Sequence, residues 1–239
     1  MTTETTKSIF LKGVKDAAPF FLVVGPFALL FGVVAAQAGL DVIEALAFSV
    51  AVIAGAAQLT ALQLMVDQAP TLIVLASALA VNLRMAMYSA SLTPYLGKAP
   101  LLHRALAAYF IVDQSYACSV LAYELNPHWS LRQRLVYFWG TVAPICPFWF
   151  VFTVVGAQLG GSIPDWLALD FAVPITFLAI IAPMLRTRAH VAAALVSIVV
   201  ALAFAWLPYN LGLLVAGMCG MITGAEMERR LVQRGVWPG

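Results

Sequence analysis

The stretch "TLIVLASALAVNLRMAMYSASLTPY", Thr71 to Tyr95, holds a single charged residue, Arg84, in 25 positions. At 1.5 Å per residue, a helix of about 20 residues already crosses the ~30 Å of hydrocarbon in a bilayer. Its reading decides the fold: an apolar run of this length is a membrane-spanning helix with one arginine near its middle.

The rest of the chain follows the same pattern. Of 239 residues, 63% are hydrophobic and 10% charged, with a mean hydropathy of +0.94, whereas a soluble domain carries roughly 25% charged residues. Ten-residue alternating segments with frequent turns are absent, so helices rather than a β-barrel must satisfy the backbone in lipid. The fold class is therefore an all-α integral membrane protein with broken helices and an internal repeat.

Eight spans are predicted: Ala17 to Ala38, Val42 to Val66, Thr71 to Tyr95, Leu101 to Glu124, Leu135 to Gln158, Trp166 to Leu185, Ala189 to Trp206 and Leu211 to Thr223. The last is short and follows the tight turn "LPYN", which makes seven the alternative count. A single transmembrane domain, residues 17–224, lies between a segment 1–16 and a tail 225–239. No soluble domain fits in what remains, so the function lies within or across the membrane, and nothing basic and extended enough for nucleic acid is present.

Cations beside the spans set orientation. Lys7, Lys12 and Lys15 precede the first span and Arg229, Arg230 and Arg234 follow the last, which predicts both termini in the cytoplasm. Arg132, Arg134, Arg186 and Arg188 fall on that same side. Lys98 and Arg104 fall opposite, against the rule. Although "AAQA" at Ala35 to Ala38 resembles a signal-peptide cleavage site, the apolar core before it exceeds the usual 7–15 residues.

Aligning Phe31–Val52 with Phe152–Val173 pairs "VVAAQAG" with "VVGAQLG" and gives 10 identities in 22. Such an internal repeat is typical of transporters whose halves rock about a central site. The halves are approximately residues 17–125 and 134–224. Four spans between equivalent residues make them parallel, as the eight-span count requires; three would invert them.

Arg84 lies about thirteen residues into its span, where insertion scales charge roughly 2.5–3.5 kcal/mol for a cation. The guanidinium cannot deprotonate there. The acid at comparable depth in a neighbouring span is Asp113, in "AYFIVDQSYACSV". Arg84, Tyr88, Ser91 and Tyr95 recur at i, i+4, i+7 and i+11, and Tyr109, Asp113 and Tyr116 form a similar stripe on the next span. Two readings stand: a structural ion pair among tyrosines, or a polar lining on a water-filled pathway.

Two spans carry breaks. "FSVAVIAGAAQLTALQ" places Gly55 and Gln58 mid-span, and "LDFAVPITFLAIIAPM" places Asp170, Pro174, Thr176 and Pro183 in the span that the repeat makes equivalent. Glycine and proline free backbone amides and carbonyls there, and interrupted segments at matching positions of two halves point to a transporter's binding site.

"IAGAAQLTALQLM", "NLRMAMYSASL", "VDQSYA" and "LDFAVPITFLA", in that order, resemble the AzlC/YgaZ family, the large subunits of two-component branched-chain amino acid exporters. The likeness runs from about Pro19 to Arg186. It implies a cytoplasmic-membrane permease that exports leucine, isoleucine, valine or similar amino acids together with a small hydrophobic AzlD/YgaH-type subunit. Matched by motif, Gly55 and Gln58 stand in the family's glycine-glutamine segment, and Asn82 and Arg84 in its asparagine-leucine-arginine motif. Asp113 stands in its acidic motif, and Asp170 with Phe171 in its later aspartate-phenylalanine pair. The family commonly has His after the arginine and Glu after the aspartate, where this chain has Met85 and Gln114. Both departures remove a titratable group and so weigh against proton coupling.

The mechanism expected from these placements holds the substrate carboxylate with Arg84, Asn82 or freed amides near Gly55. Asp113 or carbonyls near Pro174 would take the ammonium, and alternating access would expose the site to either face. No cofactor is implied, and phosphate-cradling glycine loops are missing. Cys118, Cys146 and Cys219 have no metal-like spacing and read as small buried hydrophobes. His103, His128 and His190 lie at loops or span ends. Gly220 and Gly224 form a small-xxx-small pattern for close helix approach. The rival classes are a channel for a small polar solute and an intramembrane enzyme, though neither HExxH nor GxSxG occurs.

Overall fold

Asp41 opens the second predicted span with a capping box: its carboxylate accepts from the Glu44 amide at 2.7 Å, and Glu44 accepts from the Asp41 amide at 2.8 Å. Two orphan donors are thereby satisfied at the helix start. The computed structural model describes residues 5–160, 185, 187–208 and 211–233, and every regular element among them is helical. These are α1 (Thr6–Ala17), a 3₁₀ turn (Ala18–Phe20), α2 (Phe21–Gln37), α3 (Val42–Ala51), α4 (Gly55–Val66), α5 (Thr71–Leu96), α6 (Leu101–Tyr109), α7 (Asp113–Leu125), α8 (Leu131–Gly160), α9 (Arg188–Ala203) and α10 (Leu211–Gln233).

Among the described residues, four stretches are long and apolar enough to cross a membrane: Thr6–Gln37, Thr71–Leu96, Leu131–Gly160 and Leu211–Gln233. Large apolar side chains such as Leu22, Leu83, Leu101 and Leu202 are exposed, a liability in water and the surface that lipid requires. The first span begins earlier than expected because α1 and α2 run on through the 3₁₀ turn. The last is longer than expected, reaching Gln233, and its end carries Glu226 paired with Arg230 at 2.7 Å and Arg229 at 3.7 Å. The predicted span Trp166 to Leu185 lies outside the described residues save for Leu185.

Two of the predicted spans are discontinuous. The second breaks at Val52–Ala54, just before Gly55, as the glycine suggested. The fourth, read as one run, breaks at Phe110–Val112, where the sequence has neither glycine nor proline. Ser115 stands in for them: its buried hydroxyl accepts from the Val112 amide at 3.0 Å and lies 3.3 Å from the Phe110 carbonyl oxygen. A short polar side chain that bonds the backbone in this way caps a helix instead of continuing it. Aromatic and β-branched residues at 110–112 weaken the helical alternative.

By contact the described residues form two units: those up to 62 with 81–160, and 63–80 with those from 185 onward. In the first, α1 and α2 lie along α8. A Cβ at Gly13 would meet the backbone of Gly140, one at Gly32 that of Thr153, Gly156 and Ala157, and one at Gly160 the Val33 backbone. The paired numbers rise together, so the two segments run in the same direction. Tyr137 donates to Asp16 Oδ2 at 2.8 Å, and Lys12 reaches the same oxygen at 3.1 Å, tying α1 to α8. Leu92, Leu96, Ile111, Tyr123 and Phe138 form the main core of this unit, with Cys118 and Cys146 inside it. Arg104 Nη1 donates to the Gly97 carbonyl at 3.3 Å. Its position therefore has a local reason, since a cation is favoured at the α5 C-terminus whatever the sidedness.

In the second unit, α9 and α10 pack closely where a Cβ on Gly220 would overlap the Ser197 hydroxyl and one on Gly224 would press on Ala193. Ser197 donates to the Ala216 carbonyl at 3.2 Å. The small-residue pattern thus serves an internal contact.

Candidate functional site

Asp113 is the first residue of α7, directly after the break. One turn structure on α5 meets it. Arg84 Nη1 lies 3.1 Å from Asp113 Oδ2, and the Tyr88 hydroxyl donates to Asp113 Oδ1 at 3.0 Å. Both carboxylate oxygens are therefore engaged. At about 4 Å and an effective dielectric near 20, opposite charges attract by roughly 4 kcal/mol, comparable to the insertion cost of the arginine.

The two stripes meet only in part, because the break separates Tyr109 from Asp113 and Tyr109 bonds Val50 instead. Tyr88 stacks on Tyr116 with ring centroids 4.1 Å apart and planes 12° from parallel. Tyr116 in turn donates to Ser91 Oγ at 3.0 Å. The ion pair is not sealed, because the Arg84 and Asp113 side chains are 32% and 41% exposed. Two buried polar atoms of α5 have no hydrogen-bond partner among the described residues, the donor Nε of Arg84 and, two residues earlier, the acceptor Oδ1 of Asn82. A part-exposed guanidinium and carboxylate held 3.1 Å apart offer one group of each sign to a small zwitterion.

Gly55 and Gln58 belong to a second polar centre in the same unit. Gln58 Nε2 donates to Ser49 Oγ at 3.1 Å, and Trp149 Nε1 donates to the same oxygen at 3.3 Å. The hydroxyls of Ser49 and Thr153 lie 3.4 Å apart. Ser49, Gln58 and Thr153 are completely buried, and Gln58 Oε1 has no protein partner. Gly55 is required by close approach, since any Cβ would run into the rings of Phe27 and Trp149.

The two breaks are tied together. The Tyr109 hydroxyl, at the end of α6, donates to the Val50 carbonyl near the end of α3. Val112 packs with Ala17, Val24 and Ile145, a cluster that Ile53 and Trp149 also join. Sequence reasoning thus found Arg84, Tyr88, Asp113 and Tyr116, which the fold brings together, and Gly55 and Gln58, which it places at the other break. It missed Ser49, Trp149 and Thr153, because a lone serine, threonine or tryptophan in an apolar span carries no signal until its neighbours are known. Asp170, Pro174, Thr176 and Pro183 lie outside the described residues.

His103, His128 and His190 are exposed. Among the described residues no group of three or more His, Cys, Asp or Glu side chains could hold a metal ion.

A family model described as AzlC protein matches residues 19–163, which include the Gly55–Gln58 break, the Arg84 helix and the Asp113 break. The chain belongs to the AzlC family. Over 234 residues, 95% of this chain and 100% of the relative, this AzlC-family protein is 28% identical to an uncharacterized membrane protein of Archaeoglobus fulgidus. No solved structure matches it.

Proposed function

We propose that this AzlC-family protein is the large subunit of a two-component permease that exports branched-chain amino acids, with leucine, isoleucine and valine as substrates and methionine as a further one. The observation that carries the reading is the Arg84–Asp113 pair, part-exposed and set at the mouth of a broken helix in a membrane protein. Arg84 takes the substrate carboxylate bidentately, and Asp113 takes the ammonium. The substrate replaces the internal ion pair, so its two charges enter a site whose own charges are already balanced. Apolar neighbours such as Met85 and Leu92 accept the aliphatic side chain.

Eight spans arranged as two parallel halves support alternating access. The same-direction packing of α1–α2 and α8, which the 121-residue offset relates, accords with four crossings between them. On this reading Val42–Val66 and Leu101–Leu125 each cross as two half-helices, both termini are cytoplasmic, and the protein resides in the inner membrane with an AzlD/YgaH-type partner. Asp170, Pro174 and Thr176 would complete the pathway from the second half. Export, as opposed to uptake, follows the family resemblance.

The test is efflux of radiolabelled leucine, valine, methionine and a non-branched control from preloaded cells, with and without the small partner. Saturable, partner-dependent efflux that disappears in Arg84→Ala supports the permease. Flux that grows linearly with concentration would make the protein a channel. Absence of efflux of any of these amino acids, with both subunits in the membrane, would sink the branched-chain assignment.

A further inference from the structure

We propose that the break between α3 and α4 is a site for a dehydrated monovalent cation, Na⁺, with Gln58 Oε1 and the carbonyls released at the end of α3 as its ligands. This goes beyond the substrate site around Arg84 and supplies a coupling ion for it.

The argument starts from the backbone. α3 stops at Ala51, and Val52 is extended at φ −130° and ψ 91°. The Phe48 carbonyl takes the Val52 amide, and the Val50 carbonyl takes the Tyr109 hydroxyl. Among the described residues no backbone amide closes onto the carbonyls of Ser49 or Ala51. These oxygens sit at the negative end of a helix dipole, and in a transporter unwound carbonyls at a half-helix C-terminus are what coordinate Na⁺.

The side chains add oxygen and consume hydrogen. Ser49 Oγ receives N–H groups from both Gln58 and Trp149, which leaves its own proton for Thr153 Oγ1. These three bonds use one N–H of Gln58, that of Trp149 and the Ser49 hydroxyl, and they leave an acceptor, Gln58 Oε1, completely buried with no partner among the described residues. A buried acceptor left unpaired costs roughly 1–3 kcal/mol. None of Ser49, Gln58, Trp149 and Thr153 titrates near neutral pH, so the positive charge they would accept is an ion and not a proton. The rings of Phe27 and Trp149 close over Gly55. That leaves no room for an amino acid beside Gly55.

Binding is read without transport, so it succeeds or fails independently of the efflux experiment. Thermal unfolding of the purified full-length protein is followed while Na⁺ replaces choline at constant ionic strength, with K⁺ as the control cation. A saturable rise in unfolding temperature with Na⁺, small or absent with K⁺, is expected. Gln58→Leu should abolish the rise, and Gln58→Glu, which keeps the oxygen and adds charge, should preserve or strengthen it. Equal responses to Na⁺, K⁺ and choline in the wild type would overturn the site, leaving a water on Gln58. Loss of the Na⁺ response in a folded Gln58→Glu protein would also overturn it, since Gln58 would then present its NH₂ group to an anion. A rise given by leucine in choline alone and lost in Gln58→Leu would reassign the oxygen to the substrate ammonium.

Discussion

Arg84 and Asp113 each have a second role available, as a bridge that holds α5 to α7 and as groups that meet a substrate, and mutations separate the two. Removing either partner leaves a charge with weakened compensation; a hydrogen bond to a charged group contributes roughly 1.5–3 kcal/mol. Arg84→Ala and Asp113→Asn should therefore lower the unfolding temperature and abolish efflux. The charge-swapped double variant, Arg84→Asp with Asp113→Arg, should recover membrane abundance and thermal stability while efflux stays absent. Recovery of efflux as well would assign the pair to architecture alone. Arg84→Lys keeps the charge but loses the bidentate fork, and it is expected to retain stability with sharply reduced efflux. Tyr88→Phe removes one bond to Asp113 but keeps the ring stacked on Tyr116. It should cost about 1 kcal/mol and reduce efflux only in part. Arg84 was legible in the sequence because a guanidinium in lipid must find an opposite charge, and Asp113 was the one at matching depth. Gln58 was legible as a residue but not in its partner Ser49, which Trp149 and Thr153 of α8, far along the chain, also contact.

Among the elements, the packing of α2 on α8 admits no side chain at its closest points. Gly156→Val would drive a branched side chain into the Leu29 backbone. Overpacking of this kind costs typically 1–3 kcal/mol and more where backbone must shift. Reduced unfolding temperature and reduced membrane abundance are expected, whereas Gly217→Ala, with open space around it, should change neither. The α6–α7 break makes a separate prediction. Ser115→Ala removes the hydroxyl that caps the Val112 amide, at a cost near 1 kcal/mol. It also relieves the competition against a continuous helix, so efflux should fall by more than stability does, as judged by comparing transport with unfolding temperature in the same preparation. The break at Val52–Ala54 was readable because Gly55 marks it. The one at Phe110–Val112 was not: its cap is a serine inside the following helix, and serines at that spacing are common in helices that do not break.

For the whole molecule, the proposed eight-span topology predicts on which side each loop emerges. In a background without Cys118, Cys146 and Cys219, a cysteine at Lys98 should react with a membrane-impermeant maleimide in intact cells. Cysteines at Lys7 and Arg229 should react only after permeabilisation. Labelling of position 98 from the cytoplasm alone would mean that the first half has a different number of crossings and would overturn the parallel arrangement of halves. Arg104 has a local partner in the Gly97 carbonyl on whichever side its loop emerges.

The sequence by itself determined the solvent, the helical class and the identity of the charged pair. Those properties sum over residues: hydrocarbon penalises each exposed amide and each lone charge, so composition and depth are enough to read them. Tertiary structure alone decided that two half-helices break side by side, with Tyr109 reaching Val50 across 59 residues, that Ser49, Gln58, Trp149 and Thr153 converge, and that α1–α2 and α8 run together. Each of these depends on contacts between segments distant in the chain, where a hydroxyl or a missing Cβ has meaning only through the partner that the fold sets against it.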